Sequence, residues 1–285
     1  MFKKIITVTT LALALFSGPV LAEWKPNGSI TMMTMFPPGG GGAAMAEILK
    51  TAPADGMTIG FAVSETFSFA PAMNPKIGYT ANDFSFIGAV ANTKVGWVAA
   101  GDSPYNSLED LVAAAKDGAE IEVGVFSPRA NAAVRAIGKH FGVEFIPVPI
   151  KSGNEGINNI LNGHLDTTLV GGPQAPHVRK GALKVLASLE AERLIVGKNA
   201  LTLIESGAPV ATFRVKWTLA APAGMPEDIL KAWTAALESS MTNETLRAFI
   251  TEKMSLKMNF TPGDLLKDEI VKGRGASEAL IGFLR

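Results

Sequence analysis

Ile30-Thr31-Met32-Met33-Thr34-Met35-Phe36-Pro37-Pro38-Gly39-Gly40-Gly41-Gly42-Ala43 is the stretch that decides how this chain is read. Ile30 to Phe36 is a β-rich apolar run. Pro37 to Gly42 holds only proline and glycine, and Ala43 opens a helical stretch. Glycines let the backbone approach a ligand closely and turn its N–H groups towards it. The start of the following helix adds about half a unit of positive charge. The loop therefore reads as an anion site that needs no charged side chain. Clusters of glycine and proline also serve as plain turns, and both readings stand at this point. A dinucleotide fingerprint is a third reading: Gly39, Gly41 and Ala44 fit the pattern, with Glu65 about 20 residues on. The proline pair interrupts the tight strand-to-helix turn that fingerprint needs, and consecutive glycines match it easily.

Outward from this loop, short β-rich runs alternate with helical stretches. Met57–Val63, Phe84–Val90, Val95–Ala100, Ile121–Phe126, Phe145–Pro149, Leu165–Val170 and Leu183–Ser188 read as strands. Ser107, with Asp110 three positions on, marks a helix start leading into Leu111–Lys116. Asn131–His140 and Gly156–Asn162 read as helices stopped by Gly142 and Gly163. Pro226–Ser240 is an amphipathic helix with Ile229, Leu230, Trp233 and Leu237 on one face. A last helix is expected over Pro262–Leu284. Strands separated by helices predict βαβ units and parallel sheets.

The amino terminus carries Lys3 and Lys4, an apolar run from Ile5 to Phe16, a break at Ser17-Gly18-Pro19, and small residues before Glu23. That is the pattern of a secretory leader, with cleavage expected after Ala22 and an exported mature protein. The apolar run is shorter than the roughly 20 residues a membrane span needs. The chain has no cysteine, which excludes disulfides and thiolate metal sites. Its 26 basic and 26 acidic residues balance, so no basic field is available to hold nucleic acid.

Ligands in open parallel sheets sit beyond the carboxyl ends of strands. Besides the glycine loop, three such ends carry suitable groups. Ser64-Glu65-Thr66 offers hydroxyl donors, although Ser and Thr also cap helices. Ser127-Pro128-Arg129-Ala130-Asn131 offers Ser127, Asn131 and an arginine suited to bidentate contact with a carboxylate. A capped helix with a solvated arginine is the alternative there. Gly171-Gly172-Pro173-Gln174 again leaves the backbone open. The chain holds neither a nucleophile-elbow pattern nor a zinc-protease pattern. Its three histidines, His140, His164 and His177, are widely spaced.

Several segments, in order, resemble one family: the solute-binding proteins of tripartite tricarboxylate transporters, also called Bug proteins. They are Trp24-Lys25-Pro26, Ala52-Pro53-Ala54-Asp55-Gly56-Met57-Thr58-Ile59, Tyr79–Phe84, Val148–Gly153, Asn162–Asp166 and Pro176–Gly181. The most telling is Trp217 with Ala220-Ala221-Pro222-Ala223-Gly224-Met225-Pro226.

The resemblance implies an α/β, two-lobed periplasmic-binding-protein fold of type II. Lobe 1 would comprise residues 23–98 and 215–285, and lobe 2 residues 99–214. It implies high-affinity capture of a small organic acid, a di- or tricarboxylate or a relative, for membrane transporter subunits. The protein would be monomeric, would need no cofactor and would catalyse no reaction. A sensory binding protein and an exported enzyme on the same fold are the alternatives. By position, the family's ligand loops fall on Pro38-Gly39-Gly40 and on Ser127 to Asn131, which includes Arg129 and Ala130. Ser64 and Thr66 fall on a hydroxyl-bearing strand end, and Lys151 and Gly172 on cleft-facing loops. One departure is large. Met35–Gly42 runs straight into Ala43-Ala44-Met45-Ala46-Glu47, as though two family glycine loops were joined. The first lobe is therefore expected to be shortened by a helix and a strand.

Overall fold

The computed structural model describes residues 24–34, 41–254 and 256–285. The expected leader, the expected loop Pro38-Gly39-Gly40 and the end of the first expected strand lie outside the described residues. In chain order the elements are β1 (Thr31–Thr34), α1 (Gly41–Lys50), β2 (Thr58–Val63), α2 (Glu65–Met73), β3 (Phe84–Asn92), β4 (Val95–Ala100), α3 (Leu108–Lys116), β5 (Glu122–Val125), α4 (Pro128–Phe141) and β6 (Ile146–Pro149). They continue as α5 (Gly153–Leu161), β7 (Thr167–Gly171), α6 (Ala175–Arg179), β8 (Leu183–Ser188), β9 (Lys216–Pro222), α7 (Glu227–Ser240), α8 (Glu244–Ala248), β10 (Lys257–Pro262) and α9 (Gly263–Leu284).

The strands form two sheets, ordered β1-β2-β9-β3-β10 and β6-β5-β7-β4-β8. The sheets are mixed, not parallel as the alternation of strands and helices predicted. Of the pairs between these strands, only β1–β2, β5–β6 and β5–β7 are parallel among the described residues. The reason lies in how the chain changes sheets. It leaves the first sheet at Asn92, and β4 enters the second antiparallel to β7 and β8. It returns through β9, which runs antiparallel to both β2 and β3. A strand arriving from the other lobe runs against strands whose ends face that lobe.

Each sheet is covered on both faces. In the first lobe, α1, α2 and α9 bury Ala46, Leu49, Phe67 and Leu266 against Phe84 and Phe86. On the other face Ile229 and Leu237 of α7 pack on Ile87 and Leu219. In the second lobe, α3 and α4 cover one face of its sheet and α5 the other. Trp97 is fully buried there; its Nε1 donates to Thr167 Oγ1 at 2.9 Å and its ring meets Phe145 edge-on. Local signals work as the residues suggest. Ser107 Oγ accepts from Asp110 N at 3.1 Å, and Gly142 ends α4 in the left-handed conformation at φ 69°.

Two helices reach across the lobes. Phe69 of α2 and Leu280 of α9 both belong to the second lobe's core. Full burial of a side chain such as Leu280 contributes roughly 1.5–3 kcal/mol. At its other end α9 starts hard against β3: a Cβ on Gly263 would lie 1.8 Å from the Phe86 carbonyl oxygen, so only glycine fits. No helix among the described residues is long and apolar enough to cross a membrane.

The two sheets differ at one edge. In the second, β5 is flanked on its outer side by the parallel strand β6. In the first, β1 is the edge strand among the described residues. Near that edge Ile30, Met32 and Ile48 are 39%, 52% and 56% exposed.

Candidate functional site

A cavity of about 810 Å³ lies between the lobes. Its walls come from the start of α2 (Ser64, Glu65), the start of α4 (Arg129), the passages between the sheets (Asn92, Lys94, Glu190, Lys216) and one face of α9 (Glu269, Lys272, Ser277). A smaller cavity of about 570 Å³ lies at the carboxyl ends of β5 and β6 and takes in Ser127 and Asn131.

Arg129 is the centre of the larger site. It sits in the first turn of α4, whose N-cap Ser127 accepts from Ala130 N at 3.1 Å. The arginine is only 7% exposed, so it is neither solvated nor free to swing. Its Nη2 donates to Thr212 O at 2.8 Å, and its guanidinium lies 4.9 Å from the Phe213 ring and 5.5 Å from the Phe69 ring. Nε approaches Glu65 Oε1 of the opposite lobe to 2.5 Å. The distance is that of an ion pair, but the N–H is not aimed at the oxygen. Both atoms lack an aligned hydrogen bond.

Burial pushes the Glu65 carboxyl up to about 7, and the Arg129 charge only partly offsets this. Glu190 is driven up to about 8, again chiefly by burial, and against the pull of Val95 N, which donates to its Oε1 at 2.7 Å, and of the Lys94 charge. The Glu65 charge adds to that rise. Two further buried atoms lining the cavity, Asn92 Oδ1 and Thr212 Oγ1, have no hydrogen-bond partner. Buried polar atoms are nearly always paired, so these two, beside the Glu65–Arg129 ion pair, mark the cavity as a polar site. Two further ion pairs stand on its wall: Lys216 Nζ is 2.6 Å from Glu269 Oε2, and Lys94 Nζ is 3.7 Å from Glu192 Oε2.

The structure brings only some of the expected residues together. Ser64 and Arg129 line the larger cavity, while Ser127 and Asn131 line the smaller. Ala130 is buried beneath the α4 cap. Thr66 is also buried, and its carbonyl accepts from Tyr79 Oη at 2.7 Å. Ser64 Oγ accepts from Lys216 N at 3.1 Å and so ties β2 to β9. Lys151 is exposed, and its N–H donates to Glu155 Oε2 at 2.7 Å. Gly172 has φ 126° and donates its N–H to Gln174 Oε1 at 2.7 Å. Several of the donors expected for a ligand thus already have an acceptor from the chain itself. The three histidines belong to no metal cluster among the described residues.

Sequence reasoning missed Lys94, Glu190 and Lys216. A signal existed: Lys94 and Glu190 are charged residues at the margins of the strand-like runs Val95–Ala100 and Leu183–Ser188. Charges so placed are rarely buried without a partner or a task.

Residues 31–263 match the family model described as the tripartite tricarboxylate transporter family receptor. No curated protein matches the chain. Among solved structures, the periplasmic binding protein BugD is similar, with a TM-score of 0.78 at 18% identity over 91% of this chain and 98% of that one. MatC from Rhodopseudomonas palustris, determined with bound malate, has a TM-score of 0.72 at 20% identity over 85% of each chain. A second R. palustris protein, determined with adipate, has a TM-score of 0.74 at 19% identity over 86% of this chain and 84% of that one. These likenesses describe the fold. The family match covers most of the sequence, and the chain belongs to the tripartite tricarboxylate transporter receptor family.

Proposed function

We propose that this receptor captures a small organic acid, a di- or tricarboxylate or a relative, between its lobes and delivers it to the membrane subunits of a tripartite tricarboxylate transporter. The observation that carries the reading is the buried Arg129 guanidinium at the start of α4, in the wall of the interlobe cavity. An arginine held in place by its neighbours offers a fixed fork for a carboxylate. The malate and adipate found in two structural neighbours support the same ligand class. The protein acts as a monomer in the periplasm after loss of residues 1–22, needs no cofactor and releases its ligand unchanged.

The lobes follow the sheets, with one passage at Thr93–Lys94, a few residues before the expected boundary at 98–99, and the other at Arg214–Val215, where it is expected. The first lobe is shortened. The edge position of β1 among the described residues, where β5 has β6, and the exposed Ile30, Met32 and Ile48 support this. Ligand contacts come from Arg129, Ser64, Ser127 and Asn131 and from Pro38-Gly39-Gly40, with Ala130, Thr66, Lys151 and Gly172 shaping the loops around them.

A thermal-shift screen tests the reading. Malate, adipate and a tricarboxylate should raise the melting temperature in a concentration-dependent way, because a ligand that binds only the folded state stabilises it by mass action. A neutral sugar should not. No shift with any acid would overturn it.

A further inference from the structure

We infer that Glu65 is a built-in carboxylate ligand for Arg129, which clasps the ligand-free lobes together and which an incoming acid must displace. The second half of this statement rests on the carboxylate reading above; the clasp itself does not.

The two side chains come from opposite lobes. Glu65 opens α2 at the end of β2, and Arg129 sits in the first turn of α4 at the end of β5. Arg129 is pinned on its own side by Thr212 O and the Phe213 ring, so its position does not depend on Glu65. Glu65 therefore meets a preformed cation, as a free carboxylate would. Around the pair, Lys94, Lys216 and Glu190 face the same cavity. None of them is within ion-pair distance of Glu65 or Arg129; Lys94 and Lys216 have Glu192 and Glu269 instead.

The geometry also makes the clasp releasable. A buried ion pair offsets its desolvation only when its hydrogen bonds are well formed. Here the Nε–H is misaligned, both atoms are left without an aligned bond, and the carboxyl is held at a raised pKa despite the adjacent guanidinium. An acid free to choose its approach can align with the guanidinium edge, which Glu65 on its helix does not.

An intramolecular competitor acts at a local concentration in the millimolar range or above, and it lowers apparent affinity by the fraction of molecules in which the site is free. Glu65→Gln keeps the size and removes the charge. It should tighten binding of malate or adipate by about tenfold or more in calorimetry. In small-angle scattering the ligand-free variant should show a larger radius of gyration than the unaltered protein. Arg129→Gln breaks the clasp from the other side and should produce the same expansion, which guards against a folding defect peculiar to one variant. Unchanged or weakened acid binding by a folded Glu65→Gln protein would overturn the competition. Unchanged dimensions in both variants would overturn the clasp. If no acid binds either protein, the carboxylate reading fails and with it the competition, while the scattering still decides the clasp.

Discussion

Replacing Arg129 with alanine should destabilise the protein by an amount that depends on pH, and the structure sets both ends of the range. Near pH 5, Glu65 already carries its proton in the folded state, because burial raises its pKa to about 7. The loss is then that of the charged hydrogen bond to Thr212 O and the stacking on Phe69 and Phe213. Charged hydrogen bonds contribute about 1.5–3 kcal/mol and cation–π contacts about 0.5–2, and the two are not additive here, so about 2–3 kcal/mol is expected. Near pH 8.5, Glu65 is ionised and paired in the unaltered protein. In the variant it must either stay ionised without a partner or keep its proton. Each pH unit above 7 costs about 1.4 kcal/mol for keeping it, which adds about 2 kcal/mol at pH 8.5. The total reaches the roughly 3–5 kcal/mol typical of a buried pair that has lost one partner. Glu190 titrates in both proteins and largely cancels in the difference. Urea unfolding at the two pH values, followed by circular dichroism, measures it. An equal loss at both values would show that Arg129 does not govern the ionisation of Glu65, and the electrostatic account of the site would fall.

Glu190 should lower stability as pH rises. Its folded pKa is raised to about 8 from 4.5, so its contribution is fully present below 4.5 and is lost as pH climbs through 8. Glu190→Gln keeps the acceptor for Val95 N and should flatten the melting temperature against pH over that window. Gly263→Ala should destabilise by more than about 2 kcal/mol or prevent folding, because its Cβ would collide with the Phe86 carbonyl. Gly275→Ala and Gly282→Ala, whose added Cβ would meet nothing within 4 Å, should stabilise α9 by about 0.5–1 kcal/mol each in chemical denaturation. Leu280→Ala removes a fully buried side chain and should cost about 2–5 kcal/mol by the same assay.

Much of the fold was legible because the local signals agreed with the final packing. The Ser107 and Ser127 starts, the Gly142 stop and the apolar face of α7 each needed only neighbouring residues to be interpreted. α2 escaped notice for a physical reason. It packs between the lobes, with Thr66, Phe67, Ser68, Phe69 and Pro71 all buried, so it has no polar face to create a helical period, and Pro71 reads as a breaker. β9, which ends in Ala220-Ala221-Pro222, owes its place to strands on both sides, which no local pattern reveals. The site divides in the same way. Arg129 was visible as an arginine at a helix start after a strand. Its engagement by Glu65, distant in sequence and on the opposite lobe, depends on how the lobes meet.

That meeting involves a third connection besides the two passages between the sheets. At about 1.5 Å per residue, the 22 residues of α9 make a rod of about 33 Å, rooted in one lobe and plugged into the other. Packed against both lobes, the rod behaves less like a hinge than like a leaf spring set across the joint. Wide opening must either draw Leu280 out of its socket or flex the rod, and the pair Gly273 and Gly275 near its middle is where it is softest. Any opening of the lobes would therefore work against the stiffness of the last helix as well as against the strands that join the halves.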